Sequence, residues 1–363
     1  MLLSKIWERF FFKEALKTAL LFLACFYGLY VLIDYAHHTG HFKDDRGYFS
    51  WIIFAIYYGC EFVNKAELLI PLSILLGTIK VLCKLNQDNE LIAMMASGIK
   101  MTTLLRPFVL IGLLGTGALY LNNQLLLPIA AKELQYIADR NHYAKQKNSV
   151  QLAAQHLILD DQSTLLFQHY DSSRNSFFDV YWILSSDEIY RIRELVFSTP
   201  TPTGYIVEAF RRDPLGKLIA SNQLPMMPFP EMQFNEKKLL DTLTMPEALS
   251  LTELWSQMPK DLYAESEKQA RLVSTFHQKI IFPWLCLLAV LGPAPFCMHF
   301  SRHFPVLLVY ACGIFGFMAF YIAMNAAHVL GRRQFADPIL AMWVPFILLS
   351  LLITWRFASK RNA

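Results

Sequence analysis

Six long apolar runs dominate the hydropathy pattern of the chain, three in its first part and three at its end. A helix needs about 20 mostly apolar residues to cross a bilayer. The runs lie at 16–33, 66–83, 104–127, 278–298, 304–330 and 338–355. No soluble core needs six such runs, so the pattern predicts a polytopic helical membrane protein with a 3+3 arrangement of spans.

The second run has an ambiguous start. A further apolar stretch at 51–60 precedes it, and Glu61, Asn64, Lys65 and Glu67 interrupt the two. Charge inside a bilayer is costly and usually faces a cavity. Either 51–60 lies at the outer interface and the span starts near residue 66, or one long tilted helix presents these groups to a cavity. We prefer the first alternative.

The region between the third and fourth runs has a different pattern. Alternating, β-branched and aromatic stretches at 164–171, 177–186, 189–198 and 204–213 are separated by turn residues. Short strands at this spacing indicate an antiparallel sandwich or jelly roll. The predicted domains are therefore an N-terminal membrane half (1–131), a β-jellyroll-like domain with its linker (132–264) and a C-terminal membrane half (265–363).

Composition and charge narrow the class of protein. Hydrophobic residues make up 55% of the 363 residues and charged residues 17%, whereas an average soluble domain is nearer a quarter charged. A net charge of +4 is too small for a chain of this length to indicate a nucleic-acid partner. All six cysteines lie in or beside apolar runs, so no disulfide framework is expected in the β domain.

The positive charges in the short loops predict the orientation. We expect the first apolar run to remain as a span, because no small-residue cleavage site follows it. With a cytoplasmic N-terminus, ten basic residues lie inside: Lys5, Arg9, Lys13, Lys84, Lys100, Arg106, Arg302, Arg356, Lys360 and Arg361. Four lie outside: Lys43, Arg46, Arg332 and Arg333. Both termini are therefore expected in the cytoplasm, with the central domain on the outer side of the membrane.

The loop between the second and third runs contains a short amphipathic pattern at 86–99. Asn86 or Asp88 is suited to cap a helix, and Gly98 suits its end. The apolar residues Leu91, Met94, Met95 and Ile99 share one face, and Glu90 lies in the favourable first turn. The helix either lies on the membrane surface or docks a cytoplasmic protein. A surface helix is usually lined by Lys and Arg, which this face lacks.

Catalytic and metal-binding motifs are sparse in this sequence. It contains no P-loop of the form G-x-x-x-x-G-K-[ST], no H-E-x-x-H and no G-x-S-x-G. Gly112, Gly115 and Gly117 lie in an apolar span and are interpreted as helix-packing positions. His37, His38 and His41 cluster without a positioned carboxylate, which is weak evidence for a metal. We therefore predict neither an enzyme nor a metal site.

The stretch NELIAMMASGI at 89–99 resembles the coupling-helix signature of the LptF/LptG permease family, the membrane subunits of the lipopolysaccharide export transporter. The preceding second span, the approach to the fourth span at 265–283, and the Ala336-Asp337-Pro338 and Trp343-Val344-Pro345 steps of the last spans also resemble that family. The 3+3 layout with a β-jellyroll insert matches as well. The two family paralogues are not distinguished.

The resemblance implies an assembly. A heterodimer of this chain with a paralogous permease would take lipopolysaccharide from the outer leaflet of the inner membrane and pass it to a periplasmic jellyroll bridge protein. A cytoplasmic ABC ATPase dimer would use ATP, and this chain would bind no cofactor. Carried over by position, the ATPase contact consists of Glu90, Leu91, Met94, Met95 and Gly98.

The resemblance also implies a contact with lipid phosphates near the outer end of the first span. One paralogue carries basic residues there, whereas His occupies much of the region in this chain. Substrate contacts are therefore predicted at His37, His38, Lys43 and Lys65. Neutral His is a poorer phosphate partner than Lys, so either the lipid is shortened or less phosphorylated, or the partner permease supplies the cations.

Two other functions compete with export. A membrane-anchored periplasmic binding or sensor protein would use the spans only as an anchor, which needs fewer than six. An ion-coupled secondary transporter predicts inverted repeats and acidic residues in mid-span, which the sequence does not show.

Overall fold

The computed structural model describes residues 5–38, 50–134, 137, 155–159, 163–171, 176–185, 187–197, 201–213, 218–220, 223–230, 232, 246–258, 267–298 and 306–361. The chain divides into two compact units. A membrane unit comprises Met1–His142 with Pro246–Ala363, and a β unit comprises Tyr143–Met245.

The described part of the membrane unit is built from α-helices. They are α1 (Ile6–His38), α2 (Trp51–Gln87), α3 (Glu90–Ala96), α4 (Met101–Leu104), α5 (Arg106–Leu121), α6 (Leu251–Ser256), α7 (Glu267–Ile281), α8 (Leu285–Leu291), α9 (Ala294–Cys297), α10 (Val306–Arg332) and α11 (Pro338–Arg361). A π-helix, Asn122–Leu126, continues α5, and 3₁₀ turns lie at Pro246–Ala248 and Phe282–Trp284.

Six helical segments in the described residues are long and apolar enough to cross a membrane. They are Ile6–His37, Trp51–Gln87, Arg106–Leu134, Gln269–Cys297, Val306–Arg332 and Pro338–Phe357, called the first to sixth spans below. The fourth span therefore consists of most of α7 with α8 and α9. The sequence prediction of six spans is confirmed.

The second span is one continuous helix, not two. Ser50 caps its start, and the Ser50 hydroxyl accepts a hydrogen bond from the Ile53 N–H at 3.5 Å. Two of the interrupting polar residues contact Tyr30 of the first span, whose hydroxyl donates to Glu61 at 2.9 Å. Lys65 lies 5.7 Å from the centre of the Tyr30 ring. The structure thus has the single long helix of the second alternative, and Glu61 and Lys65, two of its charged residues, lie against Tyr30.

The core of the membrane unit packs the first four spans closely. Its largest fully buried side chains include Ile79, Leu82 and Phe108. A Cβ on Gly115 would lie 2.5 Å from Ile74 Cδ1, and one on Gly112 would lie 3.2 Å from the carbonyl oxygen of Cys286. These two glycines therefore permit close helix packing, as predicted. Gly117 has open space where a Cβ would stand, so that part of the prediction does not apply to it.

A polar cluster joins the segment after the β unit to the fourth and fifth spans. Glu247 accepts hydrogen bonds from Arg271 at 3.0 Å and from Arg332 at 2.9 Å. The Lys279 ammonium donates to the main-chain carbonyls of Glu247 and Leu249. We call these residues, Glu247, Arg271, Lys279 and Arg332, the linker clamp. The pairing gives Arg332 a structural reason to depart from the charge rule that predicted the orientation.

The β unit contains eight described strands in one antiparallel sheet. They are β1 (Gln155–Ile158), β2 (Thr164–Phe167), β3 (His169–Asp171), β4 (Ser176–Ser185), β5 (Glu188–Val196), β6 (Thr203–Arg212), β7 (Leu218–Ala220) and β8 (Leu224–Pro228). The main order is β1-β2-β4-β5-β6-β7, with β3 paired to β4 and β8 paired to β6. The long strands β4, β5 and β6 form a meander, with Phe177 opposite Leu195 and Ile192 opposite Val207.

One face of this sheet carries the core of the β unit. Leu165, Phe177, Val180, Ile192 and Leu195 are fully buried. Among the aromatic residues of the strands, Tyr181 and Tyr205 instead face outward. The chain is therefore an α-helical polytopic membrane protein with an inserted antiparallel β domain, and the predicted fold class is confirmed.

Candidate functional site

The predicted short helix exists as α3, and left-handed backbone positions set its ends. Asn89 precedes it at φ 58°, and Gly98 follows it at φ 86°. Asn and Gly are the residues that adopt this conformation most readily. Asn89, not Asn86 or Asp88, holds the cap position, and its side chain makes no capping bond. Asp88 instead ends α2. The sharp turn at Asn89 separates α3 from the second span.

The five predicted contact residues lie in different surroundings on α3 and its end. Glu90, Met95 and Gly98 are exposed, Met95 to 45%. Met94 is half-buried against the core of the membrane unit, and Leu91 is buried to 2% exposure within that core. The apolar face thus divides into an inward part and an outward part. Of the five predicted contact residues, Glu90, Met95 and Gly98 are the exposed ones.

The base of α3 is tied to both halves of the membrane unit. The Asn86 side-chain amide donates to the carbonyl oxygen of Cys297 at 2.9 Å. The thiols of Cys83 and Cys297 lie 3.9 Å apart, and both residues are buried. The end of the second span is therefore fixed to the end of the fourth span next to the turn into α3. Sequence reasoning gave Asn86 a capping role and missed this contact, which has no local signal.

A tyrosine and carboxylate cluster lies between the first and second spans, beside Lys65, one of the predicted substrate contacts. Besides the Tyr30–Glu61 bond, the Tyr58 hydroxyl donates to Asp34 at 3.1 Å. Lys65 is exposed beside this cluster. His37 is exposed, and its Nδ1 lies 2.9 Å from the carbonyl oxygen of Ile33. Lys43 lies outside the described residues, as does the side chain of His38.

The linker clamp was not predicted as a unit. Burial raises the pKa of Glu247, but hydrogen bonds to its carboxylate and the guanidinium groups of Arg271 and Arg332 outweigh burial, so its net pKa lies below the ordinary value. Glu247 is therefore held ionised.

In the second span, the buried Oε1 of Glu67 has no hydrogen-bond partner among the described residues. Within the same residues, no group of three His, Cys, Asp or Glu side chains could hold a metal ion.

Comparisons with known proteins point in one direction. A search among curated proteins gave no match. The family model described as lipopolysaccharide export system permease LptF/LptG matches residues 9–359, which is nearly the whole chain. The match includes all six spans, α3 and the β unit. The chain therefore belongs to the LptF/LptG family of lipopolysaccharide export permeases.

Proposed function

We propose that this chain is a membrane subunit of an ABC-type transporter that extracts lipopolysaccharide from the inner membrane and passes it to a periplasmic bridge. A separate cytoplasmic ATPase dimer supplies the energy. The observation that carries the proposal is α3, a short helix held in the core on one side by Leu91 and exposed on the other at Glu90 and Met95. A helix of this kind suits a contact with a soluble protein.

The attachment of α3 supports a coupling role. Leu91 and Met94 fix the helix to the membrane unit, and the Asn86–Cys297 bond joins the second and fourth spans beside it. A displacement of α3 therefore acts on spans from both halves of the unit. In this proposal Glu90, Met95 and Gly98 contact the ATPase directly. Leu91 and Met94 transmit the movement.

The surface of the membrane unit supports a paralogous permease as partner. Within the single chain, only 11% of the apolar window of the first span and 6% of that of the fifth are buried. These spans are free to face a lipid cavity shared with a second permease. Lys65 and His37, near the end of the first span, and the undescribed His38 and Lys43 remain the proposed phosphate contacts.

The proposed location follows from the charges and the spans. The chain is a multi-pass protein of the bacterial inner membrane, with both termini and α3 in the cytoplasm and the β unit in the periplasm. The β unit would pass lipid to the bridge protein. The alternatives of an anchored periplasmic sensor or an ion-coupled transporter assign no function to α3.

Co-purification tests this proposal directly. The chain, expressed with its neighbouring genes, should be isolated in mild detergent together with a soluble P-loop ATPase. Glu90→Lys reverses the exposed charge of α3 and should remove the ATPase from the complex. Asp187→Lys makes the same charge change on the exposed turn before β5 and should retain it. Failure to recover the ATPase with the wild-type chain in any detergent would contradict the proposal.

A further inference from the structure

An open apolar pocket lies among the second, fourth, fifth and sixth spans. Its volume is about 400 Å³. Among the residues that the structure describes, no charged, amide or hydroxyl side chain lines it. Its walls include Leu75, Leu288, Phe296, Gly316, Phe320 and Leu352.

The rim of the pocket lies at the surface of the membrane unit. Phe296, Leu308 and Leu352, all of which line it, are more than half exposed. These residues belong to spans surrounded by hydrocarbon, so bilayer lipid has direct access to the opening. An apolar cavity of roughly 150 Å³ accommodates one benzene ring. A volume of about 400 Å³ therefore suits one fatty acyl chain and is too small for a whole lipid.

A cation stands at the mouth of this pocket. The Arg356 guanidinium lies 5.2 Å from the centre of the Phe296 ring, one of the lining residues. Arg356 is exposed, and no ion pair joins it to another residue that the structure describes. A guanidinium beside an apolar slot matches a lipid that carries a phosphate next to its acyl chains, since Arg binds phosphate through paired donors.

The position of the pocket along the spans selects the source of that lipid. The Asn86–Cys297 contact places the end of the fourth span beside the start of α3. Phe296 and Arg356 therefore lie at the α3 end of the unit. In the proposed orientation this end faces the cytoplasmic leaflet, whose lipids are anionic, whereas the exported lipid enters from the outer leaflet. This step rests on the proposed function.

We propose that this pocket is a binding site for one acyl chain of an anionic phospholipid, with Arg356 holding its phosphate. The site binds a structural lipid against the fourth, fifth and sixth spans at the α3 end of the unit, on the side opposite to the leaflet from which the exported lipid enters. Gly316 leaves room for the chain, since a Cβ there would meet none of the described residues within 4 Å.

The test uses the full chain, with its co-purifying subunits, in nanodiscs of equal phosphatidylglycerol and phosphatidylcholine, with retained lipid identified by native mass spectrometry. The wild type should retain phosphatidylglycerol in preference to phosphatidylcholine. Gly316→Leu fills the pocket and should abolish retention. Gly117→Leu, at a glycine of the third span with equal free space, should not.

Charge is tested separately from shape. Arg356→Gln should reduce the preference for phosphatidylglycerol roughly fivefold, the effect expected of one basic side chain near an anionic surface, while some lipid is still retained. Arg106→Gln, at another exposed arginine in the α3 end of the unit, should leave the preference unchanged.

The proposal is wrong if Gly316→Leu retains lipid as the wild type does. It is also wrong if lipopolysaccharide is the retained molecule, or if the assembled wild-type complex retains no lipid because a partner helix covers the pocket. ATPase co-purification is scored in the same samples, so failure of the lipid site is distinguished from failure of the export proposal.

Discussion

Neighbouring residues of α3 have opposite surroundings although their apolar character is alike. Leu91 is buried in the core of the membrane unit, whereas Met95, one turn further on, is 45% exposed. An exposed methionine adapts its shape to a partner surface, but a buried leucine stabilises the helix by packing. Substitutions at these two positions therefore distinguish an effect on docking from an effect on folding.

Met95→Asp should weaken docking of the ATPase without unfolding the membrane unit. The change places a charge in a proposed apolar contact. Replacing an interface residue of this type lowers the binding free energy by about 1–2 kcal/mol, which is roughly a tenfold loss of affinity. ATPase activity stimulated by the reconstituted complex should fall accordingly, while the thermal midpoint in detergent stays near the wild-type value.

Leu91→Ala should have the reverse pattern. Removing a buried leucine side chain costs about 2–5 kcal/mol, so the thermal midpoint should fall. If Met95→Asp lowers the midpoint as much as Leu91→Ala does, the outward surface of α3 is structural and the docking role of Met95 is contradicted.

Glu247 should make stability depend on pH in the acid range. Its pKa in the folded chain is below the ordinary 4.5, so its ionised form contributes stability above pH 4.5. That contribution is lost as pH falls through the lower, folded value. Glu247→Gln should flatten the fall of the thermal midpoint below pH 4.5, and Arg332→Gln should flatten it partly. An unchanged pH profile in both variants would show that the linker clamp does not stabilise the fold.

The packing of the third span against its neighbours depends on which face of α5 each glycine occupies. Gly112 lies against the backbone of the fourth span. A Cβ added there would lie 3.2 Å from both the carbonyl oxygen of Cys286 and the Cα of Leu287. Gly117 belongs to the same helix but has no neighbour within 4 Å of that position. Backbone atoms cannot move aside as the end of a flexible side chain can, so the two positions should differ sharply.

Gly112→Leu should destabilise the membrane unit by about 1–3 kcal/mol or more, the usual cost of overpacking. Gly117→Leu should be close to neutral, because its side chain meets open space and leucine favours a helix. The measurement is the thermal midpoint of the two variants in the same detergent. Equal midpoints would contradict the close approach of the third and fourth spans.

The whole molecule combines a membrane unit whose first and fifth spans are little buried with a β unit that has its own core. Such exposed apolar spans are expected where a second permease or lipid completes the structure. The orientation of the two units relative to the bilayer is part of the proposed function, since ATP is available only in the cytoplasm.

Labelling with a membrane-impermeant maleimide tests that orientation. In spheroplasts, Asp187→Cys in the β unit should react from outside. Ser97→Cys, at the exposed end of α3, should react only after the membrane is permeabilised. The wild-type chain serves as the control for its native cysteines. Labelling of Ser97→Cys in intact spheroplasts would show that the topology is the reverse of the proposed one. In that orientation α3 could not contact a cytoplasmic ATPase.

The amino-acid sequence alone was enough to predict the six spans, the inserted β domain and α3, and it carried the family resemblance. These features depend on hydropathy, alternation and turn residues, which act over short stretches of chain. Helical periodicity also placed Leu91 and Met95 on one apolar face. It carries no information about the segments that pack against that face.

Which part of that face is buried follows from the fold and not from the periodicity, because burial depends on the segments that pack against α3. The same holds for Glu247, whose partner Arg332 lies 85 residues further along the chain. It holds as well for the pocket, whose walls come from four spans. Contacts between distant segments leave no local pattern, so they follow from the packing of the spans alone.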